Sequence, residues 1–289
     1  MKLGAAVSPE KTGDKPDWAG FARFWRDQGV DGASVFFDQP ISTSLSEAKG
    51  ILHIFKDHGF ETAQTNGWYE CLVNPQENLR REGILGMQKL CALGAVLESP
   101  SVYVRPGGLN PAGPWYPHPD NHLPQTFDRL VDSLKQVCRA AEQEGVQVAI
   151  EGHVLSVLDT PQKIRDVIEA VGSPALKFNL DPVNFIGTVQ SVHHPATVID
   201  ELFEICGQYI IAAHIKDCRL ENQLVVHIQE VVLGEGVLDY RSILPRFQAL
   251  GGNLYAIIEH LPADKVLLAK ERLQAMAKSI GINLGRDQR

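Results

Sequence analysis

Four short apolar runs in the second half of the sequence each stop at a side chain able to bind a metal ion or carry a proton. Val146-Gln-Val-Ala-Ile ends at Glu151, Leu176-Lys-Phe-Asn-Leu at Asp181, Ile210-Ile-Ala-Ala at His214, and Asn253-Leu-Tyr-Ala-Ile-Ile at Glu259. Runs of this length, partly β-branched, read as buried strands. If the strands are parallel neighbours, their C-terminal ends lie at one rim of a sheet, so residues far apart in sequence converge on a small volume. Three carboxylates and an imidazole gathered there repel and desolvate one another unless a positive charge sits among them. A divalent cation is the group that answers this.

Four earlier runs, at residues 2–8, 32–38, 61–66 and 101–105, complete a set of strand candidates, and a helical segment follows each member of the set. Trp18, Phe21 and Trp25 recur at helical spacing before Gly29, and Ser44-Leu-Ser-Glu47 has the form of a capping box. Asn74-Pro75, Thr160-Pro161 and Asp264 mark further helix starts, while Gly94, Gly145, Gly172 and Gly207 mark ends. Unbroken alternation implies parallel strands with right-handed crossovers, and eight such units close a single (β/α)8 TIM barrel, expected here as one domain over residues 1–289. An open doubly wound sheet would carry an early glycine-rich phosphate loop. Leu3-Gly-Ala-Ala-Val-Ser lacks the second and third glycines, which argues against a dinucleotide cofactor.

Composition narrows the partners. The chain is 44% apolar and 21% charged, ordinary for a globular protein, and its net charge of −8 with no dense Lys/Arg block argues against nucleic acid. No apolar run is long enough to span a membrane, and the N-terminus does not read as a targeting segment, so a soluble cytoplasmic protein is expected, with no membrane partner. The five cysteines are scattered and form no CxxC pair, which argues against both a disulfide framework and a zinc knuckle. Self-association into a homo-oligomer is compatible with this composition.

The motifs Ile150-Glu-Gly-His153, Asn179-Leu-Asp-Pro-Val-Asn184, His214-Ile-Lys-Asp217, Gly234-Glu-Gly236 with Asp239, and Ile258-Glu259 resemble the xylose-isomerase-like barrel superfamily of sugar and sugar-phosphate isomerases and epimerases. The resemblance covers nearly the whole chain in element order. It implies one divalent metal held by Glu151, Asp181, His214 and Glu259, with Glu151 and Glu259 also handling the proton. Asn184 departs from the ketose-epimerase pattern, which has His at that place, and Val157 stands where that pattern has a further glutamate.

The chemistry calls for these residue types. Removing a proton beside a carbonyl requires stabilisation of the resulting enediolate, which a divalent ion supplies as a Lewis acid. Glu151 and Glu259 could then act as base and conjugate acid from opposite sides of a small ketose, keto-polyol or sugar acid. Hard oxygen ligands with one imidazole suit Mn2+ or Mg2+, and Zn2+, Co2+ and Fe2+ also fit such a set. Lys216 and Arg105 could hold developing negative charge or an anionic group, His153 and Asn184 could bond hydroxyls, and Trp115, in the long loop at residues 109–122, could wall a sugar face. The same site could serve a lyase, either a dehydratase or a decarboxylase. An abasic-site endonuclease would need more metal ligands and a basic groove, and a non-catalytic sugar-binding barrel would leave the carboxylates tied up in ion pairs.

Overall fold

The structure is a computed structural model that describes residues 1–12, 15–251 and 254–285. Asn253, the start of the last apolar run, lies outside the described residues. Eight parallel strands close a barrel: β1 (Lys2–Ala5), β2 (Gly32–Phe37), β3 (Glu61–Gly67), β4 (Val102–Val104), β5 (Val148–Ile150), β6 (Leu176–Leu180), β7 (Ile210–Ile215) and β8 (Tyr255–Ile258). Pairing of β1 with both β2 and β8 completes the closure. Between and after the strands come α1 (Trp18–Asp27), α2 (Leu45–Asp57), α3 (Glu77–Val96), α4 (Pro124–Glu144), α5 (Pro161–Val171), the one-turn α6 (Val189–His193), α7 (Pro195–Cys206), α8 (Tyr240–Ala249) and α9 (Ala263–Ser279). The (β/α)8 expectation therefore holds.

The helices form where amphipathic spacing and caps direct them. Phe21, Ala22 and Trp25 bury one face of α1, and Asp17 caps its start by accepting from the Gly20 N–H. Ser44 accepts from the Glu47 N–H, and Thr160 does the same for Lys163. Gly145 and Gly172 close α4 and α5 in the left-handed conformation that a side chain resists. Several boundaries differ from the sequence reading, two of them at helix starts. Asp264 lies inside the first turn of α9 with Pro262 at the cap, and α3 begins at Glu77, past the Asn74-Pro75 signal.

Two features of the strands decide what reaches the site. Ala63, Tyr255 and Ile257 form a small buried cluster of their own, and Gly4 suits the close packing there: a Cβ on it would lie 3.0 Å from both Ala63 and Ile257. At Ala63 the β2–β3 register slips, so that Ala33 pairs with Thr62 and Ser34 with Gln64. The extra residue, Ala63, is a bulge, and a bulge re-aims the side chain that follows it. Gln64 is thereby fully buried inside the barrel, bonded to Ser101 and Asn179.

A hairpin that the sequence did not announce, Asp217–Leu220 paired with Ile228–Val231, stands directly after β7 at the C-terminal rim. Among the described residues no helix is long and apolar enough to cross a membrane. All five cysteines are free thiols.

Candidate metal centre

Glu151, Asp181, His214 and Glu259 converge at the C-terminal rim, each offering a ligand atom within 4.8 Å of the others. Glu151, Asp181 and Glu259 directly follow β5, β6 and β8, and His214 is the penultimate residue of β7, so the parallel barrel brings them together from four strands. His214 Nδ1 lies 2.9 Å from Glu151 Oε1 and 3.0 Å from Glu259 Oε1. Donors bound at about 2.1 Å to an octahedral ion stand roughly 3.0 Å apart when adjacent, so the two separations from His214 Nδ1 match neighbouring donors around one hard divalent cation.

Orientation points the same way. His214 Nδ1 is close to two carboxylates but meets neither at a hydrogen-bonding angle, and Asp181 Oδ2, 2.8 Å from Lys216 Nζ, is likewise undirected. Buried polar atoms are seldom left so. Both belong to residues of the four-member cluster, and an ion held there would satisfy them.

Beneath the cluster, hydrogen bonding fixes the imidazole. Glu151 Oε1 can only accept, so the Asn179 amide donates to it at 2.9 Å. Asn179 Oδ1 then faces Gln64, whose Nε2 donates to it at 3.0 Å. This leaves Gln64 Oε1 toward His214 Nε2 at 3.0 Å, so Nε2 carries the proton and Nδ1 is the atom free to bind an ion. The other Glu151 oxygen accepts from the Tyr103 hydroxyl at 2.6 Å.

Charge is tightly coupled here. Burial opposes a charged His214, but Glu259 and Glu151 outweigh it and raise its pKa to about 10. Burial also disfavours the Glu259 carboxylate, yet His214 and Lys216 hold its pKa well below the usual range. Asp181 is pushed up to about 6 by burial, against the pull of Lys216. Lys216 Nζ bridges Asp181 Oδ2 and Glu259 Oε1, at 2.8 and 2.7 Å, and these carboxylates keep it charged despite burial.

Lys216 does not pair with its neighbour Asp217. That carboxylate instead accepts four backbone N–H groups, from Cys218, Gly234, Gly236 and Leu238, at 2.9 to 3.1 Å. The Gly-Glu-Gly motif is thus explained: a Cβ on Gly236 would fall 2.2 Å from Asp217 Oδ1.

A cavity of about 340 Å³ opens over the cluster, and Glu151, Glu259 and Lys216 form part of its wall. Arg105, Trp115, His153 and Asn184 line the same cavity, and Asp181 and His214 complete the cluster without forming part of its wall. His153 Nδ1 accepts the Leu155 N–H at 3.0 Å, which leaves the ring proton on Nε2, and burial lowers its pKa to about 4. Trp115 packs edge-on against His153, with ring centroids 5.8 Å apart. Trp68 and Tyr116, the other aromatics near this rim, do not line the cavity.

Several lining or supporting residues were missed by the sequence reading, namely Asn66, Tyr103, Glu230, His260, Gln64 and Asn179. Tyr103 stands two residues before Arg105, and Asn179 two before Asp181, so strand alternation would have placed each pair on one face. Glu230 gave no such signal, because it enters through the hairpin and meets His260 Nδ1 at 3.2 Å. His260 holds a left-handed backbone, φ 58°, which a non-glycine residue adopts at a cost.

A family model for the xylose isomerase-like TIM barrel matches residues 22–279. Among curated proteins, 3-oxo-isoapionate decarboxylase of Pectobacterium atrosepticum is 29% identical over 145 residues, a stretch spanning 48% of this chain and 48% of that relative's length. Among solved structures, 3-keto-D-glucoside 4-epimerase of E. coli has a TM-score of 0.71 at 15% identity, with 95% of this chain and 99% of that one covered. A xylose isomerase-like TIM barrel protein of Mycobacterium smegmatis, in complex with magnesium, has a TM-score of 0.73 at 18% identity, with 97% of each chain covered. The structural likenesses establish the barrel, and the match over residues 22–279 establishes the lineage: the chain belongs to the xylose isomerase-like TIM barrel family.

Proposed function

We propose that the protein is a divalent-metal-dependent isomerase or epimerase, which moves a proton on the carbon beside a carbonyl in a small ketose, keto-polyol or sugar acid. The observation that carries this reading is the convergence of Glu151, Asp181, His214 and Glu259 under a cavity, with His214 Nδ1 and Asp181 Oδ2 left without directed partners. These four residues would hold the ion, for which Mn2+ or Mg2+ best suits the oxygen-rich donors. When bound, it supplies Lewis-acid stabilisation of the negative charge that develops on the carbonyl oxygen.

The chain's own groups do the rest. Glu151 and Glu259 both reach the cavity wall, where one carboxylate takes the proton and the other, protonated, returns one to the opposite face or to the adjacent carbon. Tyr103 fixes Glu151 through its hydroxyl. Lys216, anchored by Asp181 and Glu259, sets a fixed positive charge beside the developing oxyanion. Neutral His153 offers its Nε2–H to a substrate hydroxyl, Asn184 its amide, and Trp115 a wall for the apolar face of the sugar.

The test is exchange of the substrate α-proton with solvent deuterium, followed by NMR over a panel of ketoses and sugar acids. Glu151→Gln and Glu259→Gln should each abolish exchange, and undiminished exchange in either variant refutes its assigned role. The 29% identity with a decarboxylase favours one second reading, in which the same carbanion arises by loss of carbon dioxide and a glutamate protonates the carbon left behind. Product analysis separates the two, since isomers conserve mass and a decarboxylase releases carbon dioxide.

A further inference from the structure

We propose that the substrate of this site bears a carboxylate and that Arg105 is the residue that reads it. The inference rests on the functional reading above and narrows its substrate to a keto-sugar acid. Arg105 follows β4 and stands where the cavity over the ligand cluster meets a second cavity of about 390 Å³, forming part of the wall of both. Its guanidinium is held by two aromatic rings and a backbone carbonyl. The group lies 4.0 Å from the Tyr69 ring centroid and 5.0 Å from that of Trp68, and one nitrogen, Nη2, donates to the Tyr69 carbonyl at 2.7 Å. The Arg105 backbone N–H donates to the Tyr69 hydroxyl, also at 2.7 Å, so main chain and side chain are fixed by the same residue.

What the guanidinium lacks is an anion. No carboxylate among the described residues forms an ion pair with it, whereas Lys216, the other cation in the cavity wall, is already bridged to Asp181 and Glu259. Glu230, across the cavity, is engaged with His260. The ligand cluster has no positive charge to spare, because three carboxylates balance a divalent ion and Lys216. A half-buried guanidinium pays for lost hydration unless something negative meets its free N–H edge. That edge, pre-organised by stacking, matches the two oxygens of a carboxylate with parallel hydrogen bonds. A phosphate dianion calls for more donors than one guanidinium, and the second cavity adds no further cation: it is lined by Trp68, Asn74, Gln76, Asn110 and Glu70 among others.

The experiment compares 2-keto-D-gluconate, D-fructose and D-fructose 6-phosphate as ligands of the Mn2+-loaded protein by calorimetry, in wild type and in Arg105→Met and Arg105→Lys. The wild type should bind the keto acid about tenfold more tightly than fructose. That preference should fall to about twofold or less in Arg105→Met, and Arg105→Lys should keep only part of it, since a point charge lacks the planar fork. A preference that persists in Arg105→Met, no preference in the wild type, or tighter binding of the phosphate ester overturns the proposal. Calorimetry with Mn2+ alone keeps the two readings apart. Absence of Mn2+ binding to the wild type refutes the metal reading, and the Arg105-dependent preference is then decided on the metal-free protein. Equal Mn2+ affinity of Arg105→Met and wild type shows that the variant is folded at the site.

Discussion

Replacing Gln64 by leucine tests whether the buried amide relay prepares the metal centre. The side chain is fully buried and makes three contacts, with His214 Nε2 at 3.0 Å, Asn179 Oδ1 at 3.0 Å and Ser101 Oγ at 3.2 Å. Leucine fills similar space but offers neither donor nor acceptor, so three buried polar atoms lose a partner. Each such atom costs about 1–3 kcal/mol, and after partial rearrangement and the gain from an apolar side chain we expect a net loss of about 2–4 kcal/mol in the metal-free protein. The metal effect is separate. With no acceptor at Nε2 the imidazole is free to rotate or change tautomer, and loss of such a supporting partner weakens binding by about 10–100-fold. Gln64→Glu is the internal control: it retains an acceptor for His214 but withdraws the donor from Asn179, so it should lose less Mn2+ affinity than Gln64→Leu while being at least as destabilised. Urea unfolding of metal-free protein gives the first quantity and Mn2+ calorimetry the second. Mn2+ affinity of Gln64→Leu within about twofold of wild type would show that the relay does not orient His214.

Metal binding should depend on pH in a defined direction. His214, with a pKa near 10 in the metal-free protein, carries a proton at neutral pH that the ion must displace, so apparent affinity should rise about tenfold per pH unit from 7 to 9, and more steeply below the Asp181 value of about 6; calorimetry in two buffers of different ionisation enthalpy should count about one proton released near pH 8. Asp217→Asn turns one of the two accepting oxygens into a donor, breaking two of its four backbone contacts, and should cost about 2–4 kcal/mol while speeding hydrogen exchange at Gly234, Gly236 and Leu238. Glu98, remote from the site, holds φ 53° just past α3, so Glu98→Gly should raise stability by about 0.5–1 kcal/mol in urea unfolding, the exposed pair with Lys56 contributing little.

The four residues of the cluster were legible in the sequence for a simple reason. Each terminates an apolar run, and parallel strands deliver their C-terminal ends to one rim whatever the intervening helices do. The supporting layer was not legible. Gln64 lies in a polar stretch, Glu61–Gly67, with no alternation to show which face is buried, and the bulge at Ala63 breaks the parity that would locate it. Glu230 is harder still, because its position depends on cross-strand pairing with Cys218 in a hairpin whose tip, Leu224 to Val226, is exposed and apolar, the reverse of the usual turn signal. The tie between Lys216 and Asp181 was hidden by a nearer candidate partner, Asp217, which the geometry commits instead to the Gly-Glu-Gly loop.

Lys216 also bears on the charge of the ion that the proposed centre would hold. Three carboxylates around one lysine leave two negative charges unbalanced in a space from which water is largely excluded. Without the ion, one of these is met by a proton on His214, which is why its pKa climbs to about 10 although burial opposes it. The remaining charge keeps the cluster strained, and it is spread over groups already raised or lowered from their ordinary values. A doubly charged ion would balance both charges and displace the His214 proton, whereas a singly charged ion would leave one unbalanced. The balance of Glu151, Asp181 and Glu259 against Lys216 thus matches the charge of a divalent cofactor, while ligand softness alone leaves the choice among divalent metals open.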